Sequence, residues 1–334
     1  AAGCATALVS GEQVKQMQIV ENNDTGKSDW KDPRTMMLLV RMGKTLTDRA
    51  LDEEWAALRE LDAEYTRIES ASTCAKNRIQ MLLVQLFPDL SFKRDWLFDG
   101  QAARVILELY GFDPFALVAD ARAAQRLRTR KLRPQTIERL LRDAREAIKQ
   151  PVPILWREVR SRQLRDAYQD LSVAQERRQR IRLEMTGLLE HLRQAGKVQL
   201  GPVAGVIGPF LLSRILAQTG PLRDFGSIRQ LWRYAGMNLR PRQSGVVRGK
   251  ERQAKRGRAR LRHVLGQAVL KLVTKDGLYG EYYHRKKKLG MLGPVAMTAV
   301  ARKFLKLLFG LERSRQPFDR TRVFTCESRH TKAA

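Results

Sequence analysis

Apolar residues recur at heptad spacing along the segment that begins near Leu51. The two seam positions are filled by Leu51, Leu58, Tyr65, Ile79 and Leu86, and by Leu61, Ile68, Ala75 and Leu82. A repeat of this period is typical of a long helix with a coiled-coil seam. Because proline restricts the residue before it and cannot extend the helical ladder, the helix is predicted to end near Phe87-Pro88.

A second heptad repeat follows farther along the chain and ends at Gly196. Its seam positions are filled by Leu164, Leu171, Met185 and Leu192, and by Ala167, Ala174, Ile181 and Leu188. Arg178 interrupts this seam, and the small alanines at its start would let two backbones approach closely. The two seams could therefore pair with each other, antiparallel within one chain, or with a second chain.

Shorter patterns predict the remaining elements. Residues Ala5 to Val9 resemble a strand and Glu12 to Gln18 a helix, while Ala102 to Leu109 and Thr136 to Ile148 have the period of amphipathic helices. The last third, from about Lys197 to Leu311, is predicted to be helical again, punctuated by glycines. One strand cannot complete a sheet, so either the other strands precede residue 1 or the first segment docks elsewhere.

The composition indicates the class of partner. The chain has 63 Lys and Arg against 35 Asp and Glu, a formal net charge of +28 over 334 residues. Such an excess favours a polyanion as partner, because neutralising phosphates with Lys and Arg releases condensed counterions. With 43% hydrophobic residues the chain can also bury real cores, which excludes a disordered basic tail.

Other classes are disfavoured by what the sequence contains. The three cysteines are far apart and lack metal-ligand spacing, and none pairs with any of the four histidines, so we expect neither disulfides nor a structural zinc site. No apolar run approaches the roughly 20 residues of a membrane span. We therefore expect a soluble, cytoplasmic protein without a membrane partner.

Two segments concentrate the positive charge. Ten Lys or Arg and a single acid, Glu251, lie between Arg240 and His263, and a second basic run joins two predicted helices. The candidate nucleic-acid contacts are Arg240, Arg242, Arg248, Lys250, Arg252, Lys255, Arg256 and Arg258 in the first segment, and Arg128, Arg130 and Lys131 in the second. The alternative for both segments is a solvated basic loop.

Ser244 is set among these charges, followed by Gly245. As a nucleophile, this serine would attack phosphorus and form a covalent phosphoserine link to DNA. Surrounding cations such as Arg242, Arg248 and Arg256 would stabilise the charge of the transition state. The alternative is that the serine is incidental and the cations only bind backbone phosphates.

A second candidate catalytic segment is Asp29-Trp30-Lys31-Asp32. Helical i,i+3 spacing would place Asp29 and Asp32 on one face, where two carboxylates could share a hard divalent cation such as Mg²⁺. A metal held in this way can activate an oxygen nucleophile against a phosphodiester. The alternative is that Asp32 caps a helix that begins at Pro33.

The order of the motifs resembles the transposases of the insertion sequence 110 family along nearly the whole chain. The motifs that carry the resemblance are Lys27-Ser28-Asp29-x-x-Asp32, Gly205-x-x-Gly208-Pro209, Phe225 leading to Tyr234-Ala235-Gly236, Pro241-Arg242-Gln243-Ser244-Gly245, Lys255-Arg256-Gly257 and Leu261-Arg262. The resemblance implies an α/β plus mostly α fold. Its parts would be an RNase H-like, RuvC-type domain with a DEDD metal site, long coiled-coil helices and a helical C-terminal transposase domain.

The resemblance also implies roles and partners. Asp29 and Asp32 would be the last two acids of the Mg²⁺ site and Ser244 the nucleophile. The first Asp and the Glu of the family's site have no counterpart before the first strand. Glu12 is a poor substitute, because it lies on the predicted helix after that strand. The implied partners are DNA, both element ends and target, and a structured noncoding guide RNA. We favour a dimer or tetramer, since two DNA sites must be engaged, in the bacterial cytoplasm near the nucleoid.

The expected division of the chain follows these assignments. It comprises 1–44, a partial RuvC-like domain; 45–92, the first long helix; 93–157, a helical segment with the basic connector that completes the N-terminal domain; 158–196, the second long helix; 197–313, the transposase domain; and 314–334, a flexible tail. The leading hypothesis is a DNA transposase or recombinase that uses a phosphoserine intermediate. The alternatives are an inactive, truncated remnant that only binds nucleic acid, and a structural RNA-binding protein.

Overall fold

The computed structural model describes residues 7–22, 32–45, 51–88, 90–92, 97–98, 100–200, 206–244, 247–254 and 256–320, with the backbone alone over 240–252. The chain divides into two compact units, Ala1–Glu53 and Glu54–Ala334. The division falls at the first residue of the first long helix.

The first unit contains two helices, α1 Gly11–Asn22 and α2 Asp32–Arg41. They pack through Val14, Leu39 and the buried hydroxyl residue Thr35. The helix predicted at Glu12 to Gln18 is confirmed. Of the predicted strand, residues 5 and 6 lie outside the described residues, and the rest shows a single bridge at Leu8. The part of this unit that is described thus has no sheet, and the expected RuvC-type fold is not confirmed.

The second unit is mostly helical. In chain order its helices are α3 Glu53–Leu86, α4 Gln101–Tyr110, α5 Pro114–Ala119, α6 Ala123–Thr129, α7 Pro134–Ala147, α8 Ile154–Gln194, α9 Pro209–Thr219, α10 Ile228–Ala235, α11 Ala259–Leu272, α12 Gly280–Lys288 and α13 Gly293–Ser314. A 3₁₀ turn at Leu222–Asp224 follows α9, and strands β1 Leu239–Ser244 and β2 Val247–Gln253 lie between α10 and α11.

The long helices α3 and α8 pair antiparallel within the chain. Lys197, just beyond the end of α8, lies 2.6 Å from the Glu54 carboxylate at the start of α3. Farther along, Arg178 Nη2 donates to the Tyr65 hydroxyl at 3.1 Å. The hydrogen bond from Lys197 holds the pKa of the Glu54 carboxyl below its ordinary value. These two contacts join α3 and α8 within one chain, as in the intramolecular alternative. The dimer that we favoured stays a prediction.

Helices α4 to α7 fill the far end of this helical pair. Their apolar faces share one core with the last turns of α3 and the first half of α8, around Ile79, Ile106, Leu140 and Leu164. Tyr168 of α8 donates its hydroxyl to the backbone oxygen of Leu97 at 2.8 Å. Burial there raises the pKa of Tyr168 above its ordinary value, so this hydroxyl stays a donor. The predicted helices Ala102 to Leu109 and Thr136 to Ile148 are confirmed as α4 and α7.

The later helices form the other end of the unit. Helix α9 packs against α8 and α11, and α13 packs against α10, α11 and α12. The Glu312 carboxylate of α13 accepts the backbone N–H groups of Gln199 and Leu200, each at 3.0 Å, in the segment that follows α8. Burial raises the pKa of Glu312, while these two hydrogen bonds and nearby arginines oppose the rise.

The heptad assignment drifts toward the end of α8. Leu192 and Met185 are buried as predicted, but Leu189 is fully buried where Leu188 was expected, and Leu188 is only half-buried. A straight α-helix has 3.6 residues per turn, so a strict heptad rotates away from the partner by about 20° per repeat. The shift by one residue is this drift.

The β-hairpin departs from the helical prediction for the last third of the chain. Strands β1 and β2 pair antiparallel, with Leu239 opposite Gln253 and Ser244 opposite Val247. The register shifts at Pro241, which faces two residues of β2. Proline cannot donate to the ladder and is typical of such bulges. The strands were missed because their side chains do not alternate between apolar and polar.

Candidate serine hairpin and nucleic-acid interface

Ser244 is the last residue of β1, at the tip of the hairpin. Its Cα partner is Val247, and residues 245 and 246 between them lie outside the described residues. The sequence pattern predicted helices for this part of the chain, whereas the structure gives Ser244 the backbone of a strand end. A paired strand end fixes the direction of the backbone more tightly than a free loop does.

The base of the hairpin is held by hydrogen bonds to the turn after α10. Ala254 N–H donates to the Asn238 carbonyl at 2.9 Å, and the Gln253 side-chain amide donates to the Gly236 carbonyl at 3.0 Å. Arg258 N–H donates to the Tyr234 carbonyl at 2.8 Å. The chain therefore leaves the turn, forms the hairpin and returns to the same place.

Three of the sequence motifs meet at this point. Gly257 has φ +139°, and a Cβ there would lie 2.5 Å from both Gly236 N and the Tyr234 carbonyl oxygen. The guanidinium of Arg262 donates from Nη1 to the carbonyls of Ala235 and Gly257, both at 3.1 Å. The Tyr-Ala-Gly, Lys-Arg-Gly and Leu-Arg motifs are thus one packing unit, in which glycine is needed for the close backbone approach.

A buried ion pair lies behind the hairpin base, and the sequence analysis missed it. Arg214 of α9 is 2% exposed and donates from Nε to Asp62 of α3, which is fully buried, at 2.6 Å. Gln218 Nε2 donates to the other carboxylate oxygen at 2.6 Å. Arg214 also donates to Gln267 Oε1 at 2.9 Å and to Thr66 Oγ1 at 3.3 Å. The signal available in the sequence was a single charged residue in helix α9, whose other residues are uncharged.

Residues 204–284 match the sequence profile of the transposase family IS116/IS110/IS902. They include the hairpin, Arg214 and the three motifs that pack together. This segment is therefore similar to that family of transposases. The resemblance to the insertion sequence 110 family is confirmed over these residues. Among curated proteins, none matches the chain.

The cationic candidates near the hairpin fall into three groups. For Arg240, Arg242, Arg248, Lys250 and Arg252 the structure gives a place on the hairpin backbone, and Lys255 lies outside the described residues. Arg256 is exposed beside the hairpin base. Arg258 is half-buried, and its guanidinium donates from Nε to Gln218 Oε1 at 2.7 Å and from Nη1 to the Tyr234 hydroxyl at 3.2 Å. At least part of this guanidinium is therefore engaged with the protein.

The second basic segment is a helical turn and not an extended loop. Leu127 and Leu132 are buried and anchor the end of α6 and the turn to α7. Arg128, Arg130 and Lys131 are all exposed around these anchors, with Arg130 2.7 Å from the Glu108 carboxylate. The apolar anchors thus place the three cations at the end of α6 and in the turn that follows it.

A cluster of cations and aromatic rings extends the positive surface at α12 and α13. Lys303 lies 4.1 Å from the ring centroid of Tyr282, and Arg285 and Lys286 are each 5.7 Å from it. Arg302 stacks over Trp232 at 4.4 Å. Each of these cations therefore lies within cation–π distance of an aromatic ring.

Only one of the two candidate metal ligands is described. Asp29 lies outside the described residues, while Asp32 is the first residue of α2 and its Oδ1 accepts a hydrogen bond from the Gln18 amide. Across the described ranges no group of three or more His, Cys, Asp or Glu residues is placed to hold a metal ion. The described residues therefore do not by themselves fit a Mg²⁺ site.

No helix in the described part of the chain is both long enough and apolar enough to cross a membrane. Among the cysteines, Cys74 is free and exposed, and the other two lie outside the described residues. The sequence-based expectation of no membrane span agrees with this finding over the described helices.

Proposed function

We propose that the transposase cuts and rejoins DNA strands through a covalent phosphoserine intermediate formed by Ser244. The observation that carries the proposal is the position of this serine: it ends a strand at the tip of a paired hairpin, inside the segment that matches the transposase family. A hairpin tip can enter a groove of DNA while its base stays attached to the protein.

The chemistry balances as two transfers at phosphorus. In the first, a Ser244 Oγ–P bond forms, the P–O bond to one deoxyribose breaks, the serine proton passes to water and the leaving oxygen gains a proton. In the second, a deoxyribose hydroxyl of another strand attacks the same phosphorus and releases the serine. No bond energy is lost to hydrolysis in between, so strands can be exchanged without a cofactor that supplies energy.

Positive charge is proposed to hold the strands during this exchange. The chain has a net charge of +28. The cations proposed to contact the strands are Arg256 beside the hairpin, those of the exposed turn with Arg128, Arg130 and Lys131, and those whose backbone lies on the hairpin. The finer parts of the hypothesis are proposals of the same kind. They are a RuvC-type first domain with Asp29 and Asp32 as holders of Mg²⁺, a noncoding guide RNA, and a dimer or tetramer in the bacterial cytoplasm.

The test is covalent trapping. The full chain is incubated with Mg²⁺, the noncoding RNA adjacent to its element and DNA of the element ends, and adducts are mapped by peptide mass spectrometry. We expect an adduct on Ser244, none in Ser244→Ala, and a normal yield in the matched control Ser70→Ala, whose serine lies on the exposed side of α3.

Nucleic-acid binding is measured on the same three samples. Equal binding without an adduct in any of them would contradict the proposal and favour the inactive, nucleic-acid-binding alternative. An adduct on another residue would contradict the assignment of the nucleophile alone.

A further inference from the structure

A chain of buried polar contacts runs from the long helix α3 to the base of the serine hairpin. It starts at Asp62, whose two carboxylate oxygens accept from Arg214 Nε and Gln218 Nε2, both at 2.6 Å. Asp62 and Gln218 are fully buried and Arg214 is nearly so. Water therefore does not screen these contacts, and each side chain has a fixed orientation.

Gln218 connects Asp62 to Arg258. Its amide nitrogen is used by Asp62, and its amide oxygen accepts from Arg258 Nε at 2.7 Å. Because a glutamine amide has one donor end and one acceptor end, the carboxylate on one side and the guanidinium on the other fix a single orientation. The Tyr234 hydroxyl closes the arrangement by donating to the Gln218 backbone carbonyl at 3.0 Å, while Arg258 Nη1 lies 3.2 Å from the same hydroxyl.

Arg258 lies next to the hairpin base. Its own backbone N–H is bonded to the Tyr234 carbonyl, and the strand pair begins at Leu239 and Gln253, with Ala254 bonded to Asn238. The direction in which the hairpin leaves the protein is set at this base. An error in that direction is carried to the tip, where Ser244 lies.

We propose that Asp62, Gln218 and Arg258 are positioning residues that fix the base of the hairpin β1–β2 on helix α3 and thereby aim Ser244. The inference rests on the proposed role of Ser244 as the nucleophile. A simple contribution to stability does not account for the arrangement well, because a buried ion pair can often be replaced by apolar residues at no loss of stability. Arg258, which the sequence suggested as a nucleic-acid contact, would then have a positioning role inside the protein.

The experiment measures hairpin dynamics and chemistry separately. The variants are Arg258→Met and Gln218→Met, which remove the link, and Arg258→Lys, which keeps a donor toward Gln218. Arg260→Met is the matched control, since it removes the same charge from an exposed position two residues away. Tyr234→Phe, which removes a single hydroxyl, serves if a larger change prevents folding.

Hydrogen–deuterium exchange is followed in peptides that cover 239–254 and in the core of α8. The loss of the link is expected to speed hairpin exchange about tenfold, the effect of one or two lost hydrogen bonds, with α8 unchanged. At saturating DNA the rate of Ser244 adduct formation is expected to fall by about 10²-fold, as for a reacting group displaced by about 1 Å. The apparent Kd should change less than about threefold, and Arg258→Lys should recover part of the rate.

Two results would overturn the inference. One is hairpin exchange in Arg258→Met and Gln218→Met that equals that of Arg260→Met. The other is faster exchange without any loss of adduct rate. If the wild-type chain forms no adduct, the proposed function fails by itself, and the exchange comparison alone decides whether this network holds the hairpin.

Discussion

The ion pair between Asp62 and Arg214 allows a sharp test of how the transposase segment is attached to the long helices. Replacing Asp62 by alanine leaves the Arg214 charge in an environment that is 2% exposed and removes the acceptor of Gln218. Truncating one partner of a buried pair costs about 3–5 kcal/mol. Arg214 keeps its bonds to Gln267 and Thr66, so we expect the lower end of that range, about 3 kcal/mol.

A loss of this size is measurable by thermal unfolding of the full chain, followed by far-UV circular dichroism. For a chain of 334 residues each kcal/mol shifts Tm by roughly 1–2 °C, so Asp62→Ala should lower Tm by about 3–6 °C. The matched control is Glu60→Ala on the same helix, which breaks an ion pair with Arg67 at 3.1 Å whose side chains are 63% and 73% exposed. Exposed pairs contribute about 0–1 kcal/mol, so Tm should move by no more than about 2 °C.

The double variant Asp62→Leu with Arg214→Met completes the test. Because it removes both buried charges together, it should be more stable than Asp62→Ala, although it has lost the same ion pair. The reasoning would be refuted if Asp62→Ala melted like the Glu60 control, or if the double variant were as unstable as the sum of its two single changes.

Three further outcomes follow from packing and burial. Leu189→Ala should cost about 2–5 kcal/mol, more than Leu188→Ala, because only Leu189 is fully buried, and urea unfolding would show the difference. Gly257→Ala should lower Tm and loosen the hairpin in hydrogen exchange, since the added Cβ would lie 2.5 Å from backbone atoms at φ +139°. Glu312→Gln should flatten the pH dependence of stability. Burial raises the pKa of this carboxyl, so its contribution is greatest below the ordinary glutamate pKa and is lost as pH rises through the raised value. Urea titrations at several pH values would measure that slope.

The long helices were predictable because their signal is periodic and redundant. Many seam residues agree on one period, so the ends near Phe87 and Gly196 could be placed to within about two residues. Their partner was not predictable, since a seam of leucine and alanine is complementary both to another seam of the same chain and to a second chain. Only the specific polar contacts, Lys197 to Glu54 and Arg178 to Tyr65, distinguish the two, and the pattern of apolar residues does not encode them.

The β-hairpin was missed for the opposite reason. Its strands, LRPRQS and VRGKERQ, lack the apolar alternation on which strand prediction depends, and Pro241 argues against a central strand. Their pairing is stabilised by backbone bonds at the base and by the close approach of two glycines. Such contacts depend on residues that are far apart in the sequence, which local patterns do not reveal.

The motifs were found, but their relation to one another was not. Tyr234-Ala235-Gly236 and Lys255-Arg256-Gly257 were separate signals in the sequence, and the structure packs Gly257 against Tyr234 and Gly236 at the base of the hairpin. Arg214 is the single charged residue of α9, whereas Asp62 is one of six acids in α3. The sequence therefore does not distinguish Asp62 from the other acids as the partner of Arg214.

Two kinds of charge in this chain therefore have opposite physical roles. The exposed cations are screened by salt over roughly 8–10 Å, so any hold on nucleic acid that they provide weakens as salt rises. The buried contacts from Asp62 to Arg258 are shielded from salt, so the geometry of the hairpin base does not depend on the conditions that control binding. Under the proposed strand exchange, nucleic acid is released while the same serine is aimed again, and this separation lets affinity vary while the position of Ser244 does not.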